Sequence, residues 1–178
     1  MAWRPSGPHR DQEPSPAALS RIAPRSGRPP ALRSRNAETR LDPPMRSEVR
    51  AVRTGGVPVV VDLTDECAEF VRSEADGLLH VFVPHATAGI AILETGAGSD
   101  DDLLAQLDVL LPRDDRWRHR HGSAGHGRDH VVPAFLPPHA SVPVLEGRLM
   151  LGTWQRICLV DTNTDNAQRH VRFSFLAG

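Results

Sequence analysis

The chain has 178 residues, enough for one domain plus a tail, and a formal net charge of −1. The charge is unevenly spread: residues 1–44 hold eight Arg against four acidic residues, net +4, which leaves −5 for the rest, a poor match to a phosphate backbone. All 21 basic residues are Arg and there is no Tyr, which excludes a Schiff-base lysine and a P-loop lysine. Any phosphate must be held by Arg, His or backbone N–H groups. No apolar run approaches membrane-spanning length, and no apolar signal segment opens the chain. Cys67 and Cys158 lie far apart on apolar stretches and read as buried thiols of a cytoplasmic protein, a disulfide between them being the unsupported alternative.

Residues 1–44 contain nine of the sixteen prolines and no hydrophobic periodicity. Such a segment cannot bury enough apolar surface to offset its ordering entropy, so it reads as a disordered leader. Its Arg excess suits an organelle transit peptide, but Asp11, Glu13 and Glu38 weigh against one. A start at Met45 is the simpler reading, with a single domain over 45–178.

From there the run VPVVVDL, residues 57–63, predicts a strand. Asp62 or Thr64 is placed to cap a helix whose Cys67, Phe70 and Val71 share one face. Gly77 is placed to end it. Strands are expected at 78–84 and 87–93. Ser99 with Asp102 makes a capping-box pattern. Leu103, Leu104, Leu107, Leu110 and Leu111 then form an apolar stripe that stops before Pro112. The carboxylates at 100–102 suit the positive helix end. Residues 131–136 are ambiguous, because Pro133 fits only near a helix start. Strands at 140–145, 148–151, 155–161 and 169–176 complete the chain. Two or three helices and about seven strands in consecutive hairpins define an α+β fold with a mostly antiparallel sheet or sandwich.

The stretch 117–130, WRHRHGSAGHGRDH, carries His119, His121, His126 and His130 with three glycines between them. It reads as a shaped loop. Imidazole binds transition metals and exchanges protons near neutral pH, whereas a solvated, Arg-studded loop is the plainer alternative. His85 sits in PHATAGI, where small neighbours and Thr87 let a ligand approach the backbone. Glu94, at the end of the next strand, is a candidate acid–base or metal partner for it; a turn histidine and a surface glutamate are the alternative. The run Gly152-Thr153-Trp154-Gln155 reads as a bulge or pocket wall, or else as a core Trp. Arg169 and Arg172 are spaced to differ in face, leaving one for an anionic group. GxSxG, GxGxxG, HExxH and CxxC are all absent.

Taken together these pieces resemble the YjbQ family of small proteins, from about Met45 to Gly178. The matching pieces are PHATAGI with Glu94, the Asp-rich helix start, LLP before a His-containing loop, DHV, SVPVLEGRL and LGTWQ. The resemblance implies an antiparallel α+β fold, a homotrimer, and a His cluster for a metal or an anion. It also implies secondary thiamine-phosphate synthase activity, as a main or a side reaction. That reaction joins a hydroxymethylpyrimidine pyrophosphate to a thiazole phosphate and releases pyrophosphate. The alternative is a homotrimer that binds a metal or a phosphorylated metabolite without turnover.

By position, His85 matches the histidine of the family's HTTA-type motif and Glu94 the glutamate of its NEN-type motif. His130 matches the histidine opening its HIK-type helix, and His119 the one after its LP segment. Trp154 and Gln155 match TWQ, and Arg169 an arginine of the last strand pair. The chain departs at Leu93 and Thr95, which replace two asparagines, at Ala97-Gly98 in place of Asp-Pro, and at Val131-Val132 in place of Ile-Lys. His121 and His126 are the groups placed to make up for lost polar contacts. The expected catalytic groups are Glu94, His85 and Asp129. Substrate is expected at Thr87, Trp154, Gln155 and Arg169, and a divalent metal, Zn or Mg, at His85, His119, His126 and His130. No organic cofactor, nucleic acid or membrane is expected, and the partner is a small phosphorylated metabolite or anion. His85, His119 and His130 are expected to converge at one end of the sheet.

Overall fold

A computed structural model describes residues 45–178; the expected leader, 1–44, lies outside the described residues. The α+β class and the antiparallel pairing expected from the sequence are found. β1 (Arg46–Arg53), β3 (Gly77–Phe82), β5 (His139–Leu145), β6 (Arg148–Leu149) and β8 (Gln168–Ala177) form one sheet, ordered β1-β8-β3-β5-β6. β2 (Val59–Asp62), β4 (Ala88–Leu93) and β7 (Arg156–Asp161) form a second, ordered β2-β7-β4. Every pair is antiparallel.

The expected chain of consecutive hairpins is wrong: among the described strands only β5 and β6 are both sequence neighbours and sheet neighbours. β8 lies between β1 and β3, pairing Val171 with Arg50 and Phe173 with both Glu48 and Val81. β1 itself escaped the sequence reading. Its inward positions include Glu48 and Arg50, so no apolar alternation marks it.

Helix α1 (Thr64–Val71) buries Cys67, Phe70 and Val71, the face its spacing predicts. Phe70 meets Phe173 edge-on, ring centroids 5.8 Å apart. Burying such side chains contributes about 1.5–3 kcal/mol each. Asp62 accepts the Thr64 N–H at 2.8 Å, and Thr64 Oγ1 accepts the Ile157 N–H at 2.9 Å, tying α1 to β7. Gly77 does not end this helix. It opens β3, where a Cβ would overlap the Leu176 carbonyl. The core continues through Leu79, Val81, Ile90, Val142, Val144, Ile157, Leu159 and Val171.

Helix α2 (Ser99–Leu110) is more exposed than its leucine stripe suggests. Leu107 is its one buried residue, and Leu110 is exposed. Gly98, not Ser99, is its N-cap. The ambiguous stretch 131–136 resolves into a 3-10 turn (Val132–Ala134) with Pro133 in its first turn, and the end of the stretch read as a loop, 117–130, instead forms a short helix α3 (His126–Asp129).

Candidate metal centre

Helix α3 places His126 and His130 four residues apart, one turn on the same face. Their Nε2 atoms stand 2.9 Å apart. The opposing wall is the irregular segment that leaves α2. Trp117 Nε1–H donates to the Pro112 carbonyl at 2.8 Å and sets the path of that segment. The segment then presses on α3 at Gly127, where a Cβ would overlap the His119 carbonyl and lie 2.7 Å from Trp117 Cβ. Only glycine allows this approach, and the approach brings His119 and His121 onto the α3 histidines. One nitrogen from each of His119, His121, His126 and His130 lies within 4.8 Å of the others. Ring centroids are 4.0 Å apart for His119–His121 and 4.2 Å for His119–His130.

Behind the imidazoles lies a polar shell from the β7–β8 turn. Asp165 Oδ2 is 2.6 Å from His126 Nδ1 and accepts the Ser123 N–H at 3.2 Å. Asn163 Nδ2 is 2.9 Å from the same Nδ1. Asp129 is fully buried and accepts from Thr162 Oγ1 at 2.8 Å, Asn163 Nδ2 at 3.3 Å and Arg113 Nη2 at 3.3 Å. Arg128, also buried, donates to the Leu111 carbonyl at 3.0 Å and pairs with Asp108 on α2. These bonds fix α3 against the end of α2 and the start of the turn.

Crowding shapes the electrostatics. Partial loss of water holds His130 below its usual value, and its neighbours His119, His126 and His121 add to this, against Asp129. The same effect of lost water, then His121 and His126, lowers His119. Asp165 is held below the usual carboxylate range, first by the Ser123 backbone N–H and then with help from His126. Both shifts favour the neutral form of His119 and His130, the form that coordinates a metal. A cavity of about 160 Å³ opens beside it, lined by Asp114, Asp115, Trp117 and Arg120 among others.

The structure thus brings together three of the expected metal ligands, His119, His126 and His130, and adds His121. His85 is not among them. Its Nε2 accepts the His170 N–H at 3.0 Å, and its ring stacks on His170. Nor can Glu94 serve His85. The six residues of β4 separate them, about 20 Å at roughly 3.3 Å per residue, and Glu94 is exposed.

Arg169 is not available to a substrate. It is buried, and both its Nε and Nη2 donate to Asp161, at 2.7 and 2.8 Å. Thr87 is buried beside β4. Trp154 is not a core residue: it is 70% exposed in the β6–β7 turn, where Gln155 Oε1 accepts the Gly152 N–H at 2.7 Å. Asp129 supports the site from behind and does not line the cavity. The sequence reading singled out neither Asn163 nor Asp165, between the strands expected at 155–161 and 169–176. Their carboxylate and amide chemistry was the available signal.

This is an antiparallel α+β domain carrying an all-imidazole cluster. The family described as UPF0047 protein YjbQ-like matches residues 48–178, and the chain belongs to it. The UPF0047 protein Mb2586c of Mycobacterium bovis is 61% identical over 119 residues, covering 67% of this chain and 92% of its own. The UPF0047 protein YugU of Bacillus subtilis is 34% identical over 105 residues, 55% of this chain and 75% of its own. Among solved structures, a YbjQ-like protein of unknown function from Sulfolobus solfataricus P2 matches with a TM-score of 0.70 and 28% identity. It covers 75% of this chain and 98% of its own. An uncharacterised conserved YjbQ/UPF0047 protein from Clostridium acetobutylicum matches with a TM-score of 0.65 and 25% identity, covering 72% and 98%.

Proposed function

We propose that this chain is a transition-metal protein whose centre, His119, His121, His126 and His130, binds a small phosphorylated metabolite. The supporting observation is the convergence of four imidazoles within 4.8 Å. Ligands about 2.0–2.1 Å from one zinc ion stand roughly 3–4 Å apart, so the cluster needs only small side-chain rotations to hold one. His119 and His121 are exposed and placed to make them. Nitrogen donors suit zinc and its transition-metal neighbours. They do not suit Mg, which takes oxygen. A bound ion would supply positive charge to a phosphate oxygen, and Arg120 on the cavity wall would supply a guanidinium.

The cavity of about 160 Å³ suits one phosphate-sized group better than two heterocyclic substrates at once. Metal-dependent binding of a single phosphorylated ligand is therefore the reading best supported. Thiamine-phosphate formation is the second reading, favoured by the charge that Arg120 and a metal would bring to a pyrophosphate leaving group. It requires the second ring to enter over the cavity's open rim. Metal analysis of the purified protein, followed by a turnover assay with both thiamine precursors, separates the two. Bound zinc without turnover supports binding alone, zinc with turnover supports the transferase, and no bound transition metal defeats both.

Two further parts of this reading are proposals. A homotrimer would cover Val49, Leu78 and Leu176, which are exposed on the open face of the larger sheet. Light scattering that gives a monomer mass would refute it. A cytoplasmic setting suits Cys67 and Cys158, both buried thiols pushed up to about 12 by burial. Among the described residues no helix is long and apolar enough to cross a membrane.

A further inference from the structure

His126 has two nitrogens with opposing demands on them. Nε2 faces His130 at 2.9 Å and the rest of the cluster. Nδ1 faces two groups at once, Asp165 Oδ2 at 2.6 Å and Asn163 Nδ2 at 2.9 Å. The amide of Asn163 cannot turn over to relieve this. Its Oδ1 accepts the Asp165 N–H at 3.0 Å and its Nδ2 donates to Asp129 Oδ2 at 3.3 Å. So Nδ1 stands between a fixed acceptor and a fixed donor.

The two neighbours favour opposite tautomers. A proton on Nδ1 satisfies Asp165 and leaves a lone pair on Nε2. A bare Nδ1 would accept from Asn163, but it would set a lone pair against a carboxylate oxygen at 2.6 Å and put the proton on Nε2. A hydrogen bond to an ionised acceptor is roughly twice as strong as a neutral one, so the carboxylate prevails. Gly122 makes room for this contact: its φ is +82°, and a Cβ there would lie 2.7 Å from Asp165 Oδ2 and 2.8 Å from His126 Cγ.

We propose that Asp165 is a positioning residue for the metal centre: its carboxylate holds the proton of His126 on Nδ1 and so aims the Nε2 lone pair into the cluster. Asn163 is the competitor it overrides. This rests on the metal-centre reading for its consequence, but the tautomer itself exists without a metal. A carboxylate behind a ligating histidine fixes its orientation and raises its basicity, and removing such a partner typically costs about 10–100-fold in metal affinity.

The test uses the full chain with Asp165→Ala and Asp165→Asn, two readouts and zinc alone as probe. The first readout is the ¹⁵N spectrum of the His126 ring in metal-free protein above pH 7.5. The parent should carry its proton on Nδ1. In Asp165→Ala the ring should move to the Nε2–H tautomer, because only Asn163 is left at Nδ1. Asp165→Asn should keep the parent tautomer, since its side-chain oxygen accepts the same N–H. The second readout is zinc affinity by competition with a chromophoric chelator. It should fall about 10–100-fold in Asp165→Ala and by less in Asp165→Asn.

A His126 proton that stays on Nδ1 in Asp165→Ala overturns the proposal. So does a zinc affinity within threefold of the parent. If Asp165 served only to hold Ser123, the alanine variant would melt earlier with its tautomer unchanged. A parent that binds no zinc defeats the metal-centre reading instead, and the ring spectrum still decides what Asp165 does to His126.

Discussion

Arg169 and Asp161 form a buried bidentate pair, at 2.7 and 2.8 Å, that joins the end of β7 in the smaller sheet to the start of β8 in the larger one. Each partner is at most 1% exposed. Both charges have left water, so each depends on the other for compensation. Arg169→Ala strands a buried carboxylate and should cost about 3–5 kcal/mol of stability. Denaturant unfolding measures this. If Arg169 instead served a substrate, the variant would keep its stability and lose only ligand affinity.

His130→Ala should lower zinc affinity by more than about 100-fold, a larger loss than removing a group behind a ligand. His130 is only half-buried, so the domain should stay folded. His85→Ala should leave zinc affinity unchanged, since its ring stacks on His170 outside the cluster. Titration of both variants with zinc, beside circular dichroism, checks the pair. Equal losses in both would place His85 back in the site.

Gly127→Ala tests how the loop is held. The added methyl must push the His119 carbonyl away from α3. What must move is backbone beside a buried glycine, so the variant should melt earlier than the parent and bind zinc at least about tenfold more weakly, as for other groups that set ligand orientation. Unchanged affinity would show that the segment around His119 reaches the cluster by another route.

The metal-free protein should lose stability as the solution is acidified through about pH 6.5, near the value for an unperturbed imidazole. His85, His119 and His130 are all held below that value in the folded chain, chiefly by partial loss of water. Below it the unfolded chain binds protons that the folded chain does not, so protonation favours unfolding. The loss should level off once the lowered folded-state values are passed. Bound zinc should also dissociate on acidification, because a protonated imidazole cannot coordinate. Melting curves and zinc release across pH 5–8 measure both.

Much of this was legible in the sequence because it depends on local spacing. The α1 face at Cys67, Phe70 and Val71 follows from helical periodicity, and the histidine density of 117–130 marked the cluster, though not the helical turn that sets His126 beside His130. Pairing between distant segments left no such mark. β1 carries Glu48 and Arg50 where an apolar alternation would have revealed it, and its partner lies over a hundred residues away, as in Ser47 with Ser174. The support of the site was hidden for the same reason. Asp165 is 39 positions from His126 in the numbering of the chain, and nothing in DTNTDN announces which imidazole its carboxylate meets. Residue type alone did not show where Trp154 and Arg169 would lie. One is exposed in a turn, and the other has its guanidinium committed to Asp161.

The position of β8 governs how this domain comes off the ribosome. Among the described strands it is the last along the chain, yet it fills the gap between β1 and β3. Until it is synthesised, β1 has no partner and β3 has one bare edge. Nascent chains shorter than Gln168 therefore expose unpaired strand edges, which template aggregation. The four histidines emerge well before that point, but Asn163 and Asp165 emerge only just ahead of β8. Closure of the larger sheet and completion of the support behind His126 are thus late and nearly simultaneous events in synthesis.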